Sequence, residues 1–600
     1  MKNTLNFLKP ASSAYEGKIR LYVSFVMRKQ LKEYRIWKTF IRPYFYLSDG
    51  EDNGWRGEYW GKAMRGACLI YNYNEDPQLY EVLRYAVEEL LKYQDKDGRL
   101  SSYEKDVEFR GWDLWCRKYV LTGLLHFYEI CKEKNLKEEV YVAMQRHADY
   151  IVSKIGEGKI DIRTTSNFWG GTNSCSILEP FVQLYKLTGK PEYLDFAKYI
   201  ISTGGCLDGD LLEFARKEDV YPYQYPEQKA YETMSFFEGI LAYYEATDEE
   251  QYLNVVKKFV EDVYSSDITI IGCAGCSGEL FDNSAVAQTK IPEWHMQETC
   301  VTVTWMRLLA RLHLLTGEKK YFDRMEISAV NAMAGSVNIY DQKAYVLEVK
   351  KWLAPLPFDS YSPLVHSKRG LATGGYKPLG DGAYYGCCAC IGSAGVAVYP
   401  LSCVLRSEKG VFLNAYFAGK VNAQTPAGKR ITFEITGDYP TSEEIKILVS
   451  CPVSETFKLY LRVPDWCEEL GISADGLTAV DEGGYYTIEK DWKGDTMLKL
   501  SVKTIIKPVH LNGKTAYVYG AVVLALDEGK NKEKTDEEIV LGEGEFKDKW
   551  ERATPVGNER IRFCLTAAEG KKYIFTDYAS CGKKWETHDD KVSVWLDVKD

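Results

Sequence analysis

A toroid of helical hairpins followed by β-sandwich domains, an α+β multidomain chain, is the architecture this 600-residue sequence predicts. Three observations carry it. Apolar residues recur at helical spacing up to about residue 400, one helix–turn–helix punctuation mark repeats along that stretch, and beyond residue 405 the period drops to two. A chain this long exceeds what one hydrophobic core organises, so two or three domains are expected, with boundaries at 1–404, 405–510 and 511–600.

The helical reading rests on runs such as Leu79, Val82, Leu83, Ala86, Leu90 and Leu91, and Leu121, Leu124, Leu125, Tyr128 and Ile130. The punctuation is a helix end, a tight turn and an acidic helix start. It stands at Lys186-Leu187-Thr188-Gly189-Lys190-Pro191-Glu192, at Glu245-Ala246-Thr247-Asp248-Glu249-Glu250, at Leu314-Leu315-Thr316-Gly317-Glu318-Lys319 and, more loosely, at Tyr73-Asn74-Glu75-Asp76-Pro77. Each hairpin must bury its apolar face on a neighbour. Copies roughly 60 residues apart are longer than common solenoid repeats. A closed toroid hides both terminal faces, and the extra length becomes loops on one rim.

Past residue 405, Val411–Phe417, Arg430–Ile435, Phe457–Val463 and Met497–Val502 read as strands separated by Gly, Asp and Asn turns. Ala516–Tyr519, Leu524–Leu526 and the tail to Val598 read as a second sheet region, and Asp527–Glu538 as a solvated loop.

Composition excludes several functions. A net charge of −10 argues against a nucleic-acid partner, which would call for a basic stripe. No apolar stretch is long enough to span a bilayer, and the short patch Leu21–Met27 ends in Arg28-Lys29 with no cleavage site after it. Cytoplasmic residence with reduced thiols is the expectation. The 16 cysteines lack the density of a secreted disulfide scaffold. Aromatic residues are rich, with 44 Tyr and 14 Trp; most belong to cores, and a minority suits a sugar cleft.

The chemistry concentrates in Tyr384-Tyr385-Gly386-Cys387-Cys388-Ala389-Cys390-Ile391-Gly392. Three thiols in four positions are either small buried hydrophobes or thiolates gathered for a soft metal or for nucleophilic attack. Gln297-Glu298-Thr299-Cys300, far upstream, tips the balance. Glu298, Cys300, Cys387 and Cys388 together make a four-ligand, thiolate-rich site that suits zinc. Cys390 is an alternative to Cys388, since Cys-x-Cys also chelates. Cys273 and Cys276 form a Cys-x-x-Cys that reads as a redox pair, a further metal site or, the better reading for a lone motif, buried small residues.

With these elements placed, the chain resembles glycoside hydrolase family 127, the β-L-arabinofuranosidase family. The resemblance is carried by Trp55-Arg56-Gly57-Glu58, by Glu89–Leu100, by Gly278-Glu279-Leu280-Phe281, by the Glu-Thr-Cys and Cys-Cys pair, and by Leu461–Trp466 and Gly520–Leu526 in the strand region. It implies an (α/α)6 barrel followed by C-terminal β-sandwich domains. It also implies a zinc ion held by Glu298, Cys300, Cys387 and Cys388, with Cys387 as nucleophile and Glu279 as acid/base. The substrate is then an oligosaccharide or glycoside, and family members can form a homodimer through the sandwich domains. Glu293 and Asp282 are neighbouring carboxylates that compete with Glu279 for the acid/base role.

Two departures stand out. The family's Cys-Cys continues as Pro-Pro-Asn, whereas Ala389-Cys390-Ile391 stands here. Sugar-binding histidines of the family fall near Tyr119, near Asn173 and within Lys229–Thr233, where this chain has none. Of its seven histidines, His126, His147 and His313 read as members of helix faces, and His295 is the one retained as a site candidate. Those departures keep a second expectation open, a non-catalytic carbohydrate-binding or scaffold protein with structural zinc. A helical-toroid epimerase or uronyl hydrolase ranks behind both, because the first leans on histidines and the second needs no thiols.

Overall fold

A computed structural model describes residues 4–50, 54–290, 297–346, 349–370, 376–379, 383–473, 477–531 and 537–599. Twelve helices build the barrel, alternating outer and inner: α1 (Tyr34–Tyr46), α2 (Glu58–Asn74), α3 (Pro77–Leu91), α4 (Asp113–Ile130), α5 (Lys134–Lys154), α6 (Leu178–Thr188), α7 (Pro191–Ser202), α8 (Ala230–Thr247), α9 (Glu250–Ser266), α10 (Thr299–Thr316), α11 (Lys319–Ser328) and α12 (Cys387–Ser402). The even-numbered helices form the inner ring. Each packs on the next, and α12 packs back on α2, so the toroid is closed.

The repeated punctuation does what its residues dictate. Gly189 after α6, Asp248 after α8, Gly317 after α10 and Glu75 after α2 all adopt left-handed backbone, ending an inner helix and turning the chain into the outer one. Closure needs close backbone approach. A Cβ on Gly66 of α2 would fall 2.0 Å from Ser393 Oγ of α12, and one on Gly61 would fall 1.8 Å from the Tyr119 carbonyl of α4. Neither position has room for a side chain.

Ten strands form one sheet: β1 (Asn6–Phe7), β2 (Ser13–Tyr15), β3 (Val404–Arg406), β4 (Gly410–Leu413), β5 (Gly419–Gln424), β6 (Arg430–Thr436), β7 (Glu444–Arg462), β8 (Glu469–Ser473), β9 (Val480–Glu482) and β10 (Tyr485–Lys503). Its main path runs β1-β3-β4-β7-β6-β5-β2, and β10 pairs with β7, β8 and β9. The N-terminal strands therefore pair with segments some 400 residues away, with Asn6 opposite Arg406 and Ser13 opposite Val421. Strands β7 and β10 run antiparallel along almost their whole length, interrupted by an irregularity between Cys451 and Glu455.

A second sheet contains β11 (Ile506–Leu511), β12 (Lys514–Tyr519), β13 (Val522–Asp527), β14 (Trp550–Ala553), β15 (Arg562–Thr566), β16 (Lys572–Asp577) and β17 (Val592–Ser593). It has its own apolar core around Tyr517, Leu524, Phe563 and Phe575.

The first sheet is clamped to the barrel by buried charge. Arg462 donates to Glu326 Oε2 (2.6 Å), Trp466 Nε1 donates to the same oxygen (2.7 Å), and Tyr399 and Tyr439 hydroxyls donate to Oε1 (2.8 and 2.6 Å). Asp323 also contacts Arg462. This explains the Leu461–Trp466 motif: it is a fastening between domains. No described helix is long and apolar enough to cross a membrane.

Candidate active site

The thiol and carboxylate donors gather at the starts of two inner helices, α10 and α12. Glu298 is the N-cap of α10 and Cys300 lies in its first turn; Cys387 and Cys388 open α12. Partial positive charge at helix N-termini favours thiolate and carboxylate there.

Local hydrogen bonds set both helix starts. Gln297, in left-handed backbone at φ 53°, accepts from Thr269 Oγ1 (2.6 Å) and donates to the Ser362 carbonyl (3.0 Å). Thr299 donates its backbone N–H to the Ser360 carbonyl (2.9 Å) and its hydroxyl to that of Asp359 (2.8 Å). On the other side, the strand Tyr384–Gly386 pairs with Tyr376–Pro378 and leads into Cys387. Gln30 holds this junction, donating to Tyr385 OH (2.8 Å) and to the Ala389 carbonyl (2.7 Å).

The four donors expected to form a metal site do converge. One atom from each of Glu298, Cys300, Cys387 and Cys388 lies within 4.8 Å of the other three. Cys388 Sγ is 3.6 Å from Cys300 Sγ and 3.9 Å from Cys387 Sγ; Glu298 Oε1 is 3.5 Å from Cys388 Sγ and 3.8 Å from Cys387 Sγ. For a tetrahedral ion with metal–sulfur bonds of about 2.3 Å and a metal–oxygen bond of about 2.0 Å, sulfur pairs sit about 3.8 Å apart and sulfur–oxygen pairs about 3.5 Å apart. The spacing fits. Among the described residues Glu298 Oε2 is buried with no hydrogen-bond partner, a cost the chain bears unless a cation or donor meets it. Cys387, at 8 % exposure, is the least enclosed sulfur of the set, while Cys300 and Cys388 are at 0 %.

Electrostatics separate the thiols. Hydrogen bonds from Cys300 and Cys388 hold Cys387 well below the usual thiol range against the opposing effect of burial, and Lys62 and Lys229 push the same way. Burial pushes Cys300 and Cys388 up. Glu298 is also pushed up, first by burial and then by the Glu279 carboxylate, which places Glu279 within electrostatic reach of the cluster.

Glu279 sits in left-handed backbone at φ 66°, uncommon for a non-glycine residue and a mark of a conformation the surroundings impose. Its carbonyl accepts from Ala230 N–H (3.1 Å), tying it to the start of α8. Tyr361 OH donates to Oε1 (2.6 Å), and Lys229 pairs with Oε2. Lys229 also lies 5.2 Å over the Trp169 ring. Glu232, in the first turn of α8, is buried with Oε2 unpartnered among the described residues, and burial lifts its carboxyl to about 7, with Lys229 opposing and Glu279 adding.

Other candidates are placed elsewhere or in other work. Asp282 bonds with Ser284, and its backbone N–H donates to Asp267 (2.9 Å), within a turn. Cys390 is buried but outside the four-donor cluster. Cys273 and Cys276 are buried and free, Cys273 lying 3.5 Å from the Glu298 carbonyl. His147 accepts from Leu100 N–H (3.1 Å), and His313 Nδ1 lies 3.0 Å from the Glu318 carbonyl. His126 lines a cavity with Glu179 and Arg307. Glu293 and His295 lie outside the described residues.

At the positions where family histidines were expected, Tyr119 and Tyr231 meet hydroxyl to hydroxyl, and Asn173 donates to the Gly111 carbonyl (3.3 Å). Sequence reading missed the partners of Glu279. Tyr361 and Lys229 stand 82 and 50 residues from it, with no motif of their own.

Two family models match the chain. The family model described as the β-L-arabinofuranosidase GH127 catalytic domain matches residues 14–349, and the GH127 middle-domain model matches residues 410–504. The solved structure of the GH127 β-arabinofuranosidase BT3674 is similar over 100 % of this chain and 98 % of that one, at 17 % identity and TM-score 0.74. Ara127N-Se, a GH127 β-L-arabinofuranosidase from Geobacillus stearothermophilus T6, is similar over 98 % of this chain and 100 % of that one, at 18 % identity and TM-score 0.74. No curated protein sequence matches.

A helical barrel of this kind, followed by β-rich domains and matched by these family models, defines a glycoside hydrolase. The chain belongs to glycoside hydrolase family 127.

Proposed function

We propose that this protein is a retaining exo-glycosidase with Cys387 as nucleophile and Glu279 as acid/base. It releases a terminal pentose such as β-L-arabinofuranose, or a related sugar, from a glycan or glycoconjugate. The observation that carries the reading is the convergence of Glu298, Cys300, Cys387 and Cys388 at two helix starts beside Glu279.

Glu298, Cys300, Cys387 and Cys388 would hold zinc, whose chemistry is to keep coordinating thiols deprotonated at neutral pH. Cys387 then attacks the anomeric carbon while Glu279 delivers its proton to the departing glycosidic oxygen, leaving a thioglycosyl enzyme. Glu279, now ionised, takes a proton from water as that water attacks the same carbon and releases Cys387. Two displacements at one centre retain configuration. Tyr361 and Lys229 hold the two oxygens of Glu279 and fix its direction.

The pentose assignment is supported by the family description and by the names of the similar solved structures. Tyr119, Tyr231 and Asn173 stand where sugar-binding histidines of the family were expected, so the sugar is best found by screening. Aryl β-L-arabinofuranosides come first, then other pentosides and deoxysugars, with Cys387→Ala as control. Turnover by metal-free protein, or by Cys387→Ala at the wild-type rate, overturns the reading.

A further inference from the structure

Behind the thiols lies a lysine that the proposed reaction does not use. Lys62 of α2 is 1 % exposed, and burying an ammonium is costly unless every side of it is met. Its Nζ donates to Glu58 Oε1 (2.9 Å), one helical turn earlier, and the other oxygen of Glu58 is held by Trp115 Nε1. Three rings wall the ammonium, with Nζ 4.4 Å from the Tyr231 centroid, 5.2 Å from that of Tyr119 and 5.7 Å from that of Trp115. Cation–π attraction of this kind strengthens when the cation is desolvated. Nζ is also 3.7 Å from Cys300 Sγ, within hydrogen-bond reach for sulfur.

We infer that Lys62 is a positioning residue for the thiolate cluster: a fixed outer donor that holds the Cys300 sulfur and offsets the negative charge gathered there. The inference rests on the zinc reading of the site. Three thiolates and a carboxylate carry four negative charges against two from the ion. A hydrogen bond to one sulfur draws electron density from it and fixes its direction. Groups behind metal ligands typically change affinity or activity 10–100-fold when removed. Lysine suits the place, because its narrow stem runs between the rings and ends in a point charge. Two of the walls, Tyr119 and Tyr231, stand where sugar-binding histidines of the family were expected. In this chain those positions serve the cluster from behind.

The test compares wild type with Lys62→Met, which keeps the stem and removes the charge and the donor. Zinc affinity is read by competition with a chromophoric chelator, and the sulfur-to-metal charge-transfer band is read on cobalt-substituted protein. Wild type is expected to bind one zinc, and Lys62→Met to bind it roughly 10–100-fold more weakly with a shifted band. A folded Lys62→Met with wild-type affinity and an unshifted band overturns the inference while leaving the zinc site standing. Wild type that binds no zinc overturns the site itself. Should Lys62→Met fail to fold, Glu58→Gln decides. It keeps the ammonium and weakens its anchor, so a several-fold loss of affinity supports the role and an unchanged affinity overturns it.

Discussion

Glu326 and Glu298 each stand at the centre of a buried polar cluster, and the two clusters are built in opposite ways. Around Glu326 every oxygen is met, by Arg462, Trp466, Tyr399 and Tyr439. Around Glu298 the neighbours are thiols, and Oε2 has no partner among the described residues. A satisfied cluster joins two parts of a fold, whereas one that is left short of donors asks for something from outside. The same residue type thus serves as a rivet at the barrel–sheet junction and as a prospective ligand at the barrel mouth.

Mutations should separate the two. The largest effect is expected for Cys387→Ala, with turnover lost by on the order of 10³-fold or more and the melting temperature of zinc-free protein little changed. Glu279→Gln should lose about 10²–10⁴-fold on substrates with poor leaving groups, and far less on aryl glycosides whose leaving group departs without a proton. Removing metal with a chelator should abolish turnover and lower the melting temperature, and added zinc should restore both. Arg462→Met should do the reverse of Cys387→Ala. It leaves a buried carboxylate uncompensated and costs about 3–5 kcal/mol in denaturant unfolding, while turnover per folded molecule stays near wild type.

The smallest effect concerns Glu232. Its folded pKa of about 7 lies above its ordinary value, so between about pH 4.5 and 7 the folded state binds more protons than the unfolded one. Stability therefore falls as pH rises through that window, by up to about 3 kcal/mol, and Glu232→Gln should flatten the fall. Parallel wild-type and variant curves would remove this carboxyl from the titrating set.

The hairpins and the four donors are legible in the sequence because both use residues with few other reasons to be there. Left-handed turns at Gly189, Asp248 and Gly317 mark every hairpin they close. Thiols at 300, 387 and 388 with Glu298 are rare enough to stand out, and the family motif favours Cys388 over Cys390. What resisted reading depends on contacts between distant segments. β1 and β2 are two and three residues long, too short to show alternation, yet they complete a sheet built mostly after residue 403. Lys229, Tyr361 and Lys62 are ordinary residues locally, and only the closed ring brings them to Glu279 and Cys300.

X-ray absorption at the zinc edge of the purified full chain tests the centre of this picture most directly. Three sulfurs at about 2.3 Å and one oxygen at about 2.0 Å are the predicted shell, falling to two sulfurs in Cys387→Ala. A shell of nitrogen and oxygen alone, or three sulfurs that survive the Cys387→Ala change, would contradict it.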